Sequence, residues 1–117
     1  MSSSNLAVRI LPETVRTLAA AAVVAGYTAI GTALANPSRI LILQNLTDQS
    51  VMFSWDGTND HIALPAGGQL VLDITTNSST SGAFNASAGT TFYAKRIGTP
   101  TTGSVYVSTF YGAFATV

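Results

Sequence analysis

The chain has 117 residues, and its five basic and five acidic side chains cancel, so charged residues make up only 9% of it. That length suits one domain around a single core, and the missing basic excess argues against a duplex-reading surface, which needs cations to displace counterions from phosphate. With no cysteine, disulfides and thiolate metal sites are excluded. So sparsely charged a surface suits a free monomer poorly and points to coverage by neighbouring molecules in an assembly.

The first element read along the chain is a short strand at residues 7–11. Residues 1–12 form an N-terminal arm or edge strand ahead of a single β domain at 13–117. Ala7, Val8, Arg9 and Ile10 of this segment are candidate protein-contact residues, because an extended terminus can add to a neighbour's sheet. Residues 17–38, "TLAAAAVVAGYTAIGTALANPS", contain no charge and have the outline of a secretory leader. Pro12 and Glu13 sit where a basic leader is needed, and Gly26, Tyr27, Thr28, Gly31 and Thr32 dilute the apolar run. Alanine, glycine and threonine also supply too little drive for a spanning helix. The segment is therefore assigned to the folded domain. Its alanines favour helix, but "VVAGYTAIGTAL" is richer in β-branched residues and suits strands, which is the expectation adopted.

Short strands separated by turn residues follow. They are "RILILQNL" (39–46), "VMFSW" (51–55), "HIAL" (61–64), "QLVLDI" (69–74), "AFNAS" (83–87), "TTFYAKRI" (90–97) and "GSVYVSTFYG" (103–112), with a polar loop at 75–82. About eight strands with Gly, Pro, Asn and Asp turns predict an all-β fold, a sandwich or barrel, with a mostly antiparallel β-sandwich as the expectation. Strand alternation predicts a core built from Ile40, Ile42, Phe53, Trp55, Leu70, Leu72, Val105 and Val107. In the last strand Tyr106 and Phe110 fall on the opposite face from Val105 and Val107, and they complete the candidate contact residues.

One stretch invites a chemical reading. "DGTNDH" gathers Asp56, Asn59, Asp60 and His61. A calcium loop needs a distant bidentate glutamate, and the only glutamate is Glu13. Zinc needs further histidines or cysteines, and a catalytic His61 needs a nucleophile motif that is missing. Asp-Gly between two strands is instead a hairpin signal. No catalytic, cofactor or metal site is predicted. "PAGGQ" lacks the Lys-Ser/Thr of a phosphate loop, and the triplets "NLT", "NSS" and "NAS" match a glycosylation pattern that arises often by chance in so Ser/Thr/Asn-rich a chain.

Taken together, "RILILQNLTDQSVMFSWDGTNDHIALPAGGQLVLDITTN" and "GTTFYAKRIGTPTTGSVYVSTFYG" resemble small virion structural proteins of tailed bacteriophages. The resemblance rests on turn and strand signatures at residues 45–48, 54–57, 67–73, 89–93 and 100–108, and it spans residues 39–112. It implies a jelly-roll-like form of that sandwich, in a non-enzymatic particle component made in the host cytoplasm, with the capsid exterior as its favoured place. The role it favours is that of a decoration or cement protein bridging capsid subunits. Its partners would be the major capsid protein and copies of itself, with neither nucleic acid nor membrane bound. A head-tail junction or tail ring component, bound to portal or tail proteins, is the alternative. A host-recognition or carbohydrate-binding module using Trp55 and His61 is a further one, favoured if Trp55 forms an exposed platform.

Overall fold

The computed structural model describes residues 6–73 and 87–116, with side chains described within 10–73 and 87–112. Its strands are β1 (Leu6–Pro12), β2 (Arg16–Ala19), β3 (Thr28–Ala29), β4 (Ile40–Asn45), β5 (Val51–Ser54), β6 (Ile62–Leu64), β7 (Gln69–Asp73), β8 (Tyr93–Arg96) and β9 (Ser104–Thr116). They form two antiparallel sheets. The larger has the order β1-β9-β4-β7, with β2 also on β9, and the smaller has the order β3-β8-β5-β6. The expected loop at 75–82 and nearly all of the strand expected at 83–87 lie outside the described residues.

The sheets face each other across a core of buried side chains. Leu41, Leu43, Val105 and Val107 come from the larger sheet, and Val51, Phe53, Leu64 and Ala94 from the smaller. Phe92 and the segment before β4 close one margin through Val23, Ile30 and Leu34. Leu70, Leu72 and Trp55 are partly buried against this cluster. Ile40 and Ile42 are the exceptions to the expected core. The alternation in β4 buries Leu41, Leu43 and Asn45, so the two isoleucines face outward. "ILIL" offers two equally apolar faces, and a one-residue shift exchanges them.

Residues 17–38 correct a second expectation. Strand is confined to Thr17–Ala19, the end of β2, and to Thr28–Ala29, and the alanine run makes one 3-10 turn at Ala20–Ala22. The rest crosses the core margin irregularly, tied down by amides of Ile30 and Leu34 that donate to the carbonyls of Phe92 and Thr90.

β1 and β2 lie end to end along the same side of β9, and the break between them is fixed by a buried ion pair. Arg16 and Glu13 side chains are 8% and 9% exposed, with Nη2 2.7 Å from Oε1. Arg16 also donates to the carbonyls of Thr32, Thr14 and Ala33 and to Thr109 Oγ1, so each of its five N–H groups has an acceptor. Burial raises the Glu13 pKa, but hydrogen bonds from Arg16, Asn36 and the backbone of residues 35–36 outweigh it and leave the pKa below its ordinary value.

Asn45 joins the two layers. It is fully buried, and its amide nitrogen donates to the carbonyls of Gln49, Leu64 and Pro65 at 2.8, 2.9 and 3.1 Å. Its carbonyl oxygen accepts from the Thr47 amide and hydroxyl. The neighbouring turn is latched by Asp48, which accepts from the Thr101 amide and hydroxyl and has its pKa lowered to about 2 by those bonds.

Candidate contact surface

The stretch around His61 folds as a turn saturated by its own groups. Asp56 accepts hydrogen bonds from the Thr58 and Asn59 amides, from the Asn59 side chain and from the Ser54 hydroxyl. Those bonds, the Asn59 amide first, hold its carboxyl well below the usual range. Gly57, at φ +77°, takes the left-handed conformation the turn demands and lies against the Tyr93 ring. His61 Nδ1 accepts from the Trp55 amide at 2.9 Å, which places its proton on Nε2 when neutral. Asp60 accepts from the Tyr27 hydroxyl and pairs with Lys95 at 2.9 Å. Burial, followed by the bond to Asp60, pushes the Tyr27 pKa up.

Among the described residues no group of three or more His, Cys, Asp or Glu side chains converges as metal ligands. Treatment with EDTA is expected to leave the melting temperature unchanged. A fall of several degrees, reversed by calcium or zinc, would refute the turn assignment.

Trp55 does not lie open as a platform. It is partly buried and meets His61 and Phe92 edge-on, with ring centroids 5.5 and 5.6 Å apart. A recess of about 600 Å³ lies beside the β1–β2 break, but the polar groups of Arg16 and Glu13 that line it are used up internally.

Among the described residues, no second layer covers the outer face of the larger sheet. Register places Ile42 between Val71 and Ser108, and Ile40 between Asp73 and Phe110. Phe110 then pairs with Pro12, Ile10 with Gly112, and Gln44 with Tyr106. Because strand neighbours share a face, Val71, Ile42, Ile40, Phe110, Pro12 and Ile10 form an apolar band that runs obliquely over β7, β4, β9 and β1. Val71 is 50% exposed and Ile10 43%. A solvated sheet face ordinarily alternates to polar residues. Here the polar members, Gln44, Gln69, Ser108 and Thr17, flank or interrupt the band, and Asp73 stands at its margin.

Of the residues proposed from sequence, the structure brings Ile10, Tyr106 and Phe110 onto this one face. Ala7, Val8 and Arg9 are placed by backbone pairing opposite Ala115, Phe114 and Ala113, and their side chains lie outside the described residues. Sequence reasoning missed Ile40, Ile42 and Val71. The signal is present in the second apolar face of "ILIL", assigned to the core, and in Val71, which alternation puts on the face opposite Leu70 and Leu72 and to which no role is assigned.

No family model, curated protein or solved structure matches the chain.

Proposed function

We propose that the chain is a non-enzymatic structural component of a tailed-bacteriophage particle, present in many copies. In this reading it is a decoration protein that seats the outer face of its larger sheet on neighbouring capsid subunits. The observation that carries the proposal is the apolar band from Val71 to Ile10, on a chain with almost no charge to keep it apart from neighbours. The resemblance of residues 39–112 to phage virion proteins supplies the particle. On this reading the two-sheet fold belongs with the jelly-roll-like sandwiches common among such proteins.

A protein that binds the assembled lattice better than its separated subunits stabilises the shell by mass action, and small per-copy energies add over many copies. The partly buried, edge-packed Trp55 counts against the carbohydrate-binding alternative.

The test is the double substitution Ile42→Lys, Val71→Lys. Both side chains point away from the core, so the melting temperature should change little. Binding to capsids assembled without the protein should weaken roughly tenfold or more, because two charges would be desolvated in an apolar contact. Undiminished capsid binding by the folded variant would reject this face. Binding of the unaltered protein to portal or tail assemblies, and not to capsids, would move it to the junction.

A further inference from the structure

β9 is longer than the sheet it belongs to. β4 runs along one side of it from Val105 to Phe110, and on the other side β2 pairs with Ser104–Val107 and β1 with Phe110 onward. From Tyr111 to Thr116 β9 is paired only with β1. Backbone bonds show which groups are left over. The carbonyls of Gly103 and Thr109 accept from Ala20 and Glu13 on the β1–β2 side, whereas those of Ser104 and Phe110 accept from Leu46 and Arg39 on the β4 side. Odd-numbered residues thus point their N–H and C=O toward β1 and β2, and even-numbered ones toward β4, as an antiparallel strand requires. β4 ends at the Ile40–Phe110 pair. Beyond it, Gly112, Phe114 and Thr116 direct their backbone groups to an edge on which no strand lies among the described residues.

We propose that this edge pairs with the same edge of a second copy, β9 against β9 across a two-fold axis. Three observations select a second copy as the occupant. The edge sequence Tyr-Gly-Ala-Phe-Ala-Thr has neither the proline nor the charge by which exposed edges are usually blocked. Antiparallel pairing of identical strands is self-complementary, so each copy's donors meet the other's acceptors and the assembly closes as a dimer. The slot between the Arg39–Phe110 bond and Thr116 is itself about as long as the strand that would fill it. The join converts two marginal two-stranded ribbons into one four-stranded sheet, β1-β9-β9-β1, and a two-stranded ribbon alone is barely stable in water. This inference rests on the fold alone and stands apart from the capsid reading.

Sedimentation across a concentration series, with amide exchange measured at both ends, tests it. The protein should dimerise, and the Gly112 and Phe114 amides should gain protection only at high concentration. Phe114→Pro removes one edge-facing donor per copy and should weaken dimerisation roughly thirtyfold. Phe114→Ala keeps that donor and should retain the dimer. A monomer at every concentration overturns the proposal. So does a dimer whose Gly112 and Phe114 amides stay unprotected, or one that Phe114→Pro leaves intact.

Discussion

Gly103→Ala is expected to destabilise the fold by roughly 3–5 kcal/mol, enough to unfold much of the protein at moderate temperature. Gly103 adopts φ +82°, and a β-carbon there would lie 1.9 Å from the Leu46 carbonyl oxygen and 3.1 Å from the Thr47 Cα. The left-handed conformation alone costs an L-residue about 1–2 kcal/mol. The larger part comes from the clash, because its partners are backbone atoms that cannot rotate aside. Relief would require Leu46 and Thr47 to move, straining the bonds from Leu46 to the Ser104 carbonyl and from Ala20 to the Gly103 carbonyl. Those bonds position the start of β9, the strand on which the larger sheet is built. Gly26→Ala is the control. It has no atom within 4 Å of the added carbon and no positive φ, so its effect should stay within about 0.5 kcal/mol. Equal melting temperatures for the two variants would contradict the clash.

Asn45→Ala is expected to cost about 3 kcal/mol, or a fall of roughly 10–20 °C in melting temperature. The substitution withdraws the Asn45 donors from the Leu64, Pro65 and Gln49 carbonyls and the acceptor from the Thr47 amide, inside a site closed to solvent. The Pro65 and Gln49 carbonyls keep other donors, from the Gly68 amide and the Thr47 hydroxyl. The main loss therefore falls at the Thr47 amide, since the β5–β6 pairing also sets the Leu64 carbonyl opposite Val51. Asn45→Asp keeps the acceptor but loses the donors and buries a charge, so it should be no better tolerated. The Asn45 and Gly103 sites share Leu46 and Thr47, and their effects should be less than additive when combined. A loss below about 1 kcal/mol for Asn45→Ala would show that the two layers do not depend on this bridge.

The same residue shows where the sequence misleads. Alternation in "ILILQN" was legible, and so was the strand. Which face turned inward was not, because Asn45, a polar residue, sits on the buried side with Leu41 and Leu43 while Gln44 sits outside with Ile40 and Ile42. Polarity therefore gave no vote between two apolar faces. In β9 both faces are partly apolar, and the valine face is the one expected inside. Val105, Val107 and Thr109 are buried, with Tyr106 and Phe110 on the other side, and the contact candidates read from that strand lie on the outer face. Residues 17–38 meet the strand expectation only in part, for a different reason. Their structure comes from tertiary anchoring of Val23, Ile30 and Leu34 against Phe92 and its neighbours, not from a local period, so propensity had little to report. The Asp-Gly turn was readable because its chemistry is local: Asp56, Ser54 and Asn59 satisfy one another within six residues. The β1 pairing needed partners at the far end of the chain, from Pro12 with Phe110 to Leu6 with Thr116, and the terminal sequence carried only its strand propensity.

On the proposed reading, the outer face of the larger sheet is the surface by which this chain joins a phage shell. The most direct test of that reading is a reconstruction of the intact particle at a resolution that traces strands. Copies of the sandwich should sit on the capsid exterior, with Val71, Ile42 and Phe110 against neighbouring subunits and the His61 turn away from them. Copies confined to the portal or tail, or seated on the capsid with that apolar band left open to solvent, would contradict it.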